Sequence, residues 1–370
     1  MLEHISVNLD DRSYNIYIGS KILNNNTIQR VLENKKKYVL ITNTILKNII
    51  SDINIYNSLF LSKIDQIYLL NDSECHKNIQ EIESMITFLL KNSYGRDTTL
   101  IALGGGVIGD MTGFVASIYQ RGINFIQIPT TLLAQVDASI GGKTGVNHNL
   151  GKNMIGSFWQ PSSVFIDINF LSFLSKKQIL SGIAEIIKYA IILDYDFFVW
   201  LEKHINLVIQ LQKKELLYCI KKCCEIKSKI ISKDETEKSD RVLLNLGHSF
   251  AHAIETYTKY NKWLHGYAVA SGIVLSAYLA NSLNILNNFD LIRIVKIFYK
   301  IGLPIIGPQN MSVYDYLNLI RRDKKVLDNK IRLVLPVSIG VATVYTLHDE
   351  SELIVAIQNC YKKKSFKSNI

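Results

Sequence analysis

The stretch Thr98 to Val115, TTLIALGGGVIGDMTGFV, constrains the fold more than any other part of the chain. Four apolar residues, Leu100 to Leu103, run into Gly104, Gly105 and Gly106, and after Gly109 an apolar pattern resumes at helical spacing. This reads as a strand, a tight turn and a helix. Residues without a Cβ let backbone N–H groups approach an anion, and the new helix aims its positive end at the same place. The spacing satisfies G-x-G-x-x-G, a dinucleotide fingerprint that plain connecting turns also meet. About twenty residues on, where an acidic reader of the ribose is expected, the chain has Ile128, Pro129, Thr130 and Thr131. Other loops must then hold any ribose and adenine.

At 370 residues the chain suits two domains, each able to bury a core. Hydrophobic content of 48% with 20% charged residues indicates a globular protein. The net charge of +10 is dispersed, apart from Lys35 to Lys37 and Lys362 to Lys364. Nucleic-acid binding is therefore not expected, and a small anionic substrate suits the basic residues better. The five cysteines, Cys75, Cys219, Cys223, Cys224 and Cys360, make no disulfide framework, which fits a reducing cytoplasm. Cys219 and Cys223 lie one helical turn apart but lack a CxxC partner, so they read as buried thiols rather than metal ligands. Glu3, Asp10 and Asp11 do not form a signal pattern, and the apolar stretch Tyr267 to Ala280 is too short for a bilayer. A cytoplasmic protein without membrane contact is expected.

Strands are expected within residues 1–20, at Lys37 to Thr42, Gln66 to Leu70, Phe125 to Ile128 and Val164 to Asp167, with a helix over Ile79 to Leu90. Strands alternating with helices imply a parallel α/β layer. From about Ser175 helical patterns dominate (176–193, 195–232, 243–260, 266–283 and 289–301), with a late hairpin across Ile331 to Leu347. The reading is an α/β, Rossmann-like domain over 1–175 and a mainly α-helical domain over 176–370, with the active site in the cleft between them.

Three segments could carry chemistry. Residues 129–158, PTTLLAQVDASIGGKTGVNHNLGKNMIGSF, are rich in glycine and hold Asp137, Lys143, Lys152 and Asn153, a backbone shaped around a negatively charged ligand. In SGIAEIIKYA, Glu185 and Lys188 share a helix face among apolar neighbours, where a carboxylate and an amine both need partners. In LNLGHSFAHAIE, which ends at Glu255, His248 and His252 lie one turn apart, and His265 opens the next helix in WLHGYAVASG. Two histidines and a glutamate from three segments would make a metal site with an open position. Spacing alone leaves open whether His248 or His252 takes the metal.

Taken together, GGGVIGDMTGFVAS, IPTTLLAQVDASIGGKTGVN, GKNMIGSFWQP, GIAEIIKYA, LNLGHSFAHAIE and LHGYAVASG resemble the 3-dehydroquinate synthase family of sugar-phosphate cyclases, in order and over most of residues 40–330. The resemblance implies NAD and a divalent metal, zinc or cobalt, in a homodimer. It implies Glu185, His248 and His265 as metal ligands, with His252 as a proton acceptor and Glu237 as a second acidic catalytic residue. Gly105, Gly106 and Asp110 would carry the NAD pyrophosphate. The loop Asp72, Glu74 and Lys77 would hold the ribose, and Thr130, Thr131, Lys143 and Lys152 the nicotinamide side. Asn43, Phe170 and Phe173 would complete the cofactor site.

The substrate implied is 3-deoxy-D-arabino-heptulosonate 7-phosphate, a double anion. Lys152, Asn153, Lys188, Lys227, Arg241, Asn245 and one of Lys324 or Lys325 match the family's contacts to it, and Asp137 would bond a substrate hydroxyl. Arg121 would reach in from the partner subunit, its forked donors suiting a carboxylate or phosphate. The family reaction implied is transient oxidation by NAD, phosphate elimination, re-reduction and an intramolecular aldol closure. Two departures bear on how tightly NAD is held: Phe173 stands where the family often has threonine, and Asn43 where many members have aspartate. The competing readings are another sugar-phosphate cyclase, a metal-dependent polyol dehydrogenase, or a nucleic-acid-binding protein using the positive charge.

Overall fold

A computed structural model describes residues 2–33, 37–52, 56, 60–259, 262–321, 326–327 and 330–362. The chain begins with β1 (Glu3–Val7), β2 (Tyr14–Gly19), α1 (Asn26–Glu33), β3 (Lys37–Thr42), α2 (Thr44–Ser51), β4 (Gln66–Leu69) and α3 (Ile79–Lys91). It continues through β5 (Thr98–Gly104), α4 (Gly106–Ile118), β6 (Asn124–Pro129), β7 (Lys143–His148), β8 (Gly151–Phe158) and β9 (Ser163–Asp167). Helices α5 (Lys176–Leu193), α6 (Tyr195–Ile209), α7 (Lys213–Lys233), α8 (His248–Tyr257), α9 (His265–Ser282), α10 (Asn288–Lys300) and α11 (Val313–Arg321) follow. A small sheet, β10 (Val326–Leu327), β11 (Lys330–Ser338) and β12 (Val341–Thr346), precedes α12 (Glu350–Lys362). Two compact units result: Met1–Leu174 with Lys213–Thr236, and Ser175–Gln212 with Glu237–Ile370. The sequence reading drew a single boundary near 175. The units interleave instead, because α7 packs on β1 and β2, with Lys221 Nζ donating to Glu3 at 2.6 Å.

In the first unit seven strands run in the order β1-β2-β9-β6-β5-β3-β4. All neighbours are parallel except β1 and β2. Every residue of β5 is buried, and Leu100 registers with Val39 on one side and Phe125 on the other. A strand covered on both faces favours apolar residues, which is why Leu100 to Leu103 reads as an unbroken run. One core cluster holds Met85, Leu89, Met111, Val115 and Phe125; another holds Leu40, Ile101, Leu103, Ile128 and Phe165. The segment 143–158 is an antiparallel hairpin rather than an open loop, with Gly145 opposite Gly156. It lies directly on α4, since a Cβ at Gly113 would collide with Thr144.

The second unit is helical, with β11 and β12 as the expected late hairpin. The helical pattern read over 195–232 is two helices, broken where Leu211 turns left-handed (φ 57°). The pattern over 243–260 starts later than expected, because Asp240–Asn245 form a 3₁₀ turn and Gly247 is left-handed (φ 78°) before α8. Helices α11 and α12 lie outside the patterns read from the sequence. Cys219, Cys223 and Cys224 are buried and form no disulfide, and burial pushes the Cys219 and Cys224 thiols well up. Among the described residues no helix is long and apolar enough to cross a membrane.

Candidate active site

In the first unit the triple-glycine turn divides its labour. Gly104 is required by packing, because a Cβ there would strike Ile108 of the following helix. Gly105 is the N-cap of α4 and supplies no capping side chain, so the first N–H groups of the helix are not satisfied by their own cap. A Cβ on Gly105 would stand 3.2 Å from Thr131 Cγ2, and one on Gly106 would stand 3.5 Å from Ala138 Cβ. The bare backbone at these two positions suits an anion.

Around this turn the residues picked out in the sequence bind one another. Lys77 is buried and its Nζ donates to Asp110 at 2.5 Å and to Asn153 Oδ1 at 2.6 Å. Burial pushes the Asp110 carboxyl above its ordinary range, while the Lys77 ammonium pulls it back. Asn43 caps α2 through Leu46 N and donates from Nδ2 to Asp72 at 2.8 Å. Asn43 is thus a neutral partner for Asp72, where a carboxylate would repel it. Thr130 is buried and Thr131 half-buried, the Thr131 hydroxyl accepting from Ala134 N at 3.2 Å. Lys143 is exposed, at the start of β7. Phe170 is fully buried and stacked on Tyr56, whereas Phe173 is 47% exposed. Of the two rings, that of Phe173 is the one open to a ligand.

Sequence reasoning missed Asn147, whose Nδ2 donates to Glu74 Oε1 at 2.9 Å and whose Oδ1 accepts from Asn153 N at 2.9 Å. Together with the Asn147 N to Lys77 O bond of 2.9 Å, it ties the hairpin to the Asp72–Lys77 loop. Lys152 Nζ lies 3.8 Å from Glu74 Oε1. Asp137 sits in a π-helical turn, Ala134–Ala138, a feature frequent at functional sites. Lys227 of α7 donates to its carboxylate at 2.5 Å and to its carbonyl at 2.6 Å. Arg121 is exposed and left-handed (φ 66°), as is Asn153 (φ 53°). Such backbone costs a non-glycine residue about 1 kcal/mol or more.

In the second unit Glu185 is fully buried on α5. Neither of its oxygens has a hydrogen-bond partner among the described residues, although the Lys188 ammonium pairs with Oε2. His248 Nε2 stands 3.7 Å from Glu185 Oε1, and His265 Nε2 stands 3.5 Å from the same atom. One ligand atom from each of the three lies within 4.8 Å of the others. Glycines produce this convergence. A Cβ at Gly266 would strike the Ser181 carbonyl, and one at Gly272 the Gly247 carbonyl. Helix α9 therefore meets α5 and α8 backbone to backbone, bringing its first residue, His265, to the other two.

A buried carboxylate whose Oε1 is faced by two imidazole nitrogens is the donor set of a zinc site that keeps an open position. Of the two histidines that spacing leaves open, His248 and not His252 lies in the cluster. The His252 ring packs edge-on at 5.8 Å from that of His248. Asn245 donates to Glu237 Oε1 at 2.6 Å, Glu237 being left-handed (φ 63°), and Arg241 is buried in the same turn. Lys324 and Lys325 lie outside the described residues.

Comparison with known proteins gives two adjoining family matches. The 3-dehydroquinate synthase N-terminal family matches residues 67–181, and the 3-dehydroquinate synthase C-terminal family matches residues 182–326. The chain belongs to the 3-dehydroquinate synthase family. A 3-dehydroquinate synthase from Buchnera aphidicola subsp. Cinara cedri is 60% identical over 367 residues, covering 99% of this chain and all (100%) of that one. Another, from Buchnera aphidicola subsp. Baizongia pistaciae, is 51% identical, covering 96% of this chain and 100% of the relative. Among solved structures, 2-epi-5-epi-valiolone synthase from Streptomyces hygroscopicus subsp. jinggangensis, with NAD+ and Zn2+ bound, aligns at TM-score 0.86 and 26% identity, covering 96% of this chain and 99% of that one. An alignment over nearly the whole of both chains shows that this chain shares the valiolone synthase's fold.

Proposed function

We propose that the chain is a phosphorus–oxygen lyase that converts 3-deoxy-D-arabino-heptulosonate 7-phosphate to 3-dehydroquinate and phosphate, using NAD and a divalent cation. The observation that carries this reading is the convergence of Glu185, His248 and His265, the Glu185 carboxylate being buried with its Oε1 left without a hydrogen bond among the described residues. The full-length relatives named 3-dehydroquinate synthase support it, and the valiolone synthase binds both cofactor types on the same fold.

When bound, NAD supplies a reversible hydride acceptor and the cation acidifies an oxygen it touches. The chain's residues have the remaining tasks. Glu185, His248 and His265 hold the cation. Gly105, Gly106 and Asp110 receive the dinucleotide phosphates, Asp72, Glu74 and Lys77 the ribose, and Thr130, Thr131, Lys143 and Lys152 the nicotinamide side. Lys188, Lys227, Arg241, Asn245, Asn153 and one of Lys324 or Lys325 bind the anionic ends of the substrate, with Asp137 on a hydroxyl. His252 and Glu237 move protons. Holding one flexible molecule through several steps makes each step intramolecular, which is the larger part of the catalysis. The exposed, strained Arg121 supports a role across a homodimer interface. A biosynthetic role of this kind fits the cytoplasm.

The test is release of inorganic phosphate from the heptulosonate phosphate with NAD+, before and after chelation. Phosphate without net NADH, lost on chelation and restored by Zn2+ or Co2+, is the expected result. Steady NADH accumulation on a polyol would identify a dehydrogenase instead. Turnover of only a different sugar phosphate would identify another cyclase.

A further inference from the structure

Behind the three converging groups stands a fourth side chain that they do not include. Glu255 lies in the last turn of α8 and is 3% exposed, and its Oε1 is 3.0 Å from His265 Nδ1. A carboxylate taken out of water needs a donor. It is also poorly placed at a helix C-terminus, where the macrodipole disfavours negative charge. Its position is better explained by what it meets. His265 thus has a carboxylate at each ring nitrogen: Glu185 at 3.5 Å from Nε2 and Glu255 at 3.0 Å from Nδ1. A neutral imidazole carries one N–H, so only one of these carboxylates receives it. The shorter and hydrogen-bonded contact is to Glu255. That leaves the Nε2 lone pair directed at the space shared with Glu185 and His248. His248 is set the same way, with Nδ1 3.2 Å from the Leu246 carbonyl, but its acceptor is neutral where that of His265 is charged.

We infer that Glu255 is a positioning residue for the cation site: it fixes the tautomer and ring orientation of His265. The inference rests on the proposed cation site. Outer carboxylates of this kind typically contribute about 10- to 100-fold in metal affinity.

The test begins with the unaltered chain loaded with Zn2+ and labelled with 15N at histidine. Long-range proton–nitrogen NMR should show His265 protonated at Nδ1 and ligating through Nε2; ligation through Nδ1 would overturn the inference. Zn2+ affinity is then measured by chelator competition on E255A and E255Q, with the melting temperature of each apo form as a check on folding. E255A should weaken Zn2+ binding about 10- to 100-fold. E255Q keeps an acceptor at Nδ1 and should recover most of that loss. The Co2+-loaded E255A chain should also show an altered visible d–d spectrum. Unchanged affinity and spectrum in a folded E255A would refute the role. Failure of the unaltered chain to bind Zn2+ stoichiometrically would instead refute the cation site itself.

Discussion

Glu185 carries a charge where water does not reach it. Burying an ion costs several kcal/mol unless another charge and hydrogen bonds compensate, and here Lys188 is one of the compensating groups. A cation among Glu185, His248 and His265 would add another. His248→Ala should therefore abolish Zn2+ binding and turnover while leaving the helices folded; a zinc-loaded, active variant would count against the ligand assignment. The Lys77–Asp110 pair in the first unit makes a different prediction. Removing the ammonium in Lys77→Met strands a carboxylate and releases Asn153, at a cost of about 3 kcal/mol readable by urea denaturation. NAD+ affinity, followed by titration calorimetry, should fall in the same variant.

Helix α9 joins its neighbours through glycine, so the element scale is where the cation cluster is most sensitive. Gly272→Ala forces a methyl group into the Gly247 carbonyl, and overpacking of this kind costs about 1–3 kcal/mol. The account expects a lower melting temperature together with weaker Zn2+ binding, because α8 and α9 each carry a ligand. A variant that loses stability but keeps full Zn2+ affinity would separate helix packing from the site. At this scale the sequence was most readable where one residue type did one job. The buried strand β5, the glycine turn and the long helix α5 stand where their patterns put them. Other features depend on long-range contacts that local periodicity does not encode. The break at Leu211 is an unadorned left-handed residue in an otherwise helical pattern. The π turn beneath Asp137 is stabilised from α7, far along the chain. Asn147 and Glu255 act through partners that are evident only after folding. His248 and His252 are indistinguishable by spacing because they share a helix face, and only folding shows that His248 is the one beside Glu185 and His265.

Over the whole molecule, the net charge of +10 is less free than the composition suggests. Lys77, singled out for the ribose, and Lys188 and Lys227, singled out for the anionic substrate, are each paired with a carboxylate that is also singled out. An incoming anion would have to compete for those ammonium groups, so substrate binding should weaken as salt rises, by less than for a surface of free lysines. The proposed homodimer carries a sharper prediction. Arg121→Ala and His248→Ala should each be inactive alone. If Arg121 serves the partner's site, mixed dimers contain one intact site, and re-equilibrated equimolar mixtures should regain about a quarter of the unaltered activity. Absence of any recovery in verified mixed dimers would confine Arg121 to its own subunit.

The claim on which the rest depends is that three side chains from α5, α8 and α9 hold one cation. X-ray absorption at the zinc edge of the loaded chain tests it most directly. The account predicts two imidazole nitrogens and carboxylate oxygen at about 2.0–2.2 Å with an exchangeable fourth ligand, and loss of one imidazole shell in His265→Ala. A sulfur shell near about 2.3 Å, or a spectrum unchanged in that variant, would contradict it.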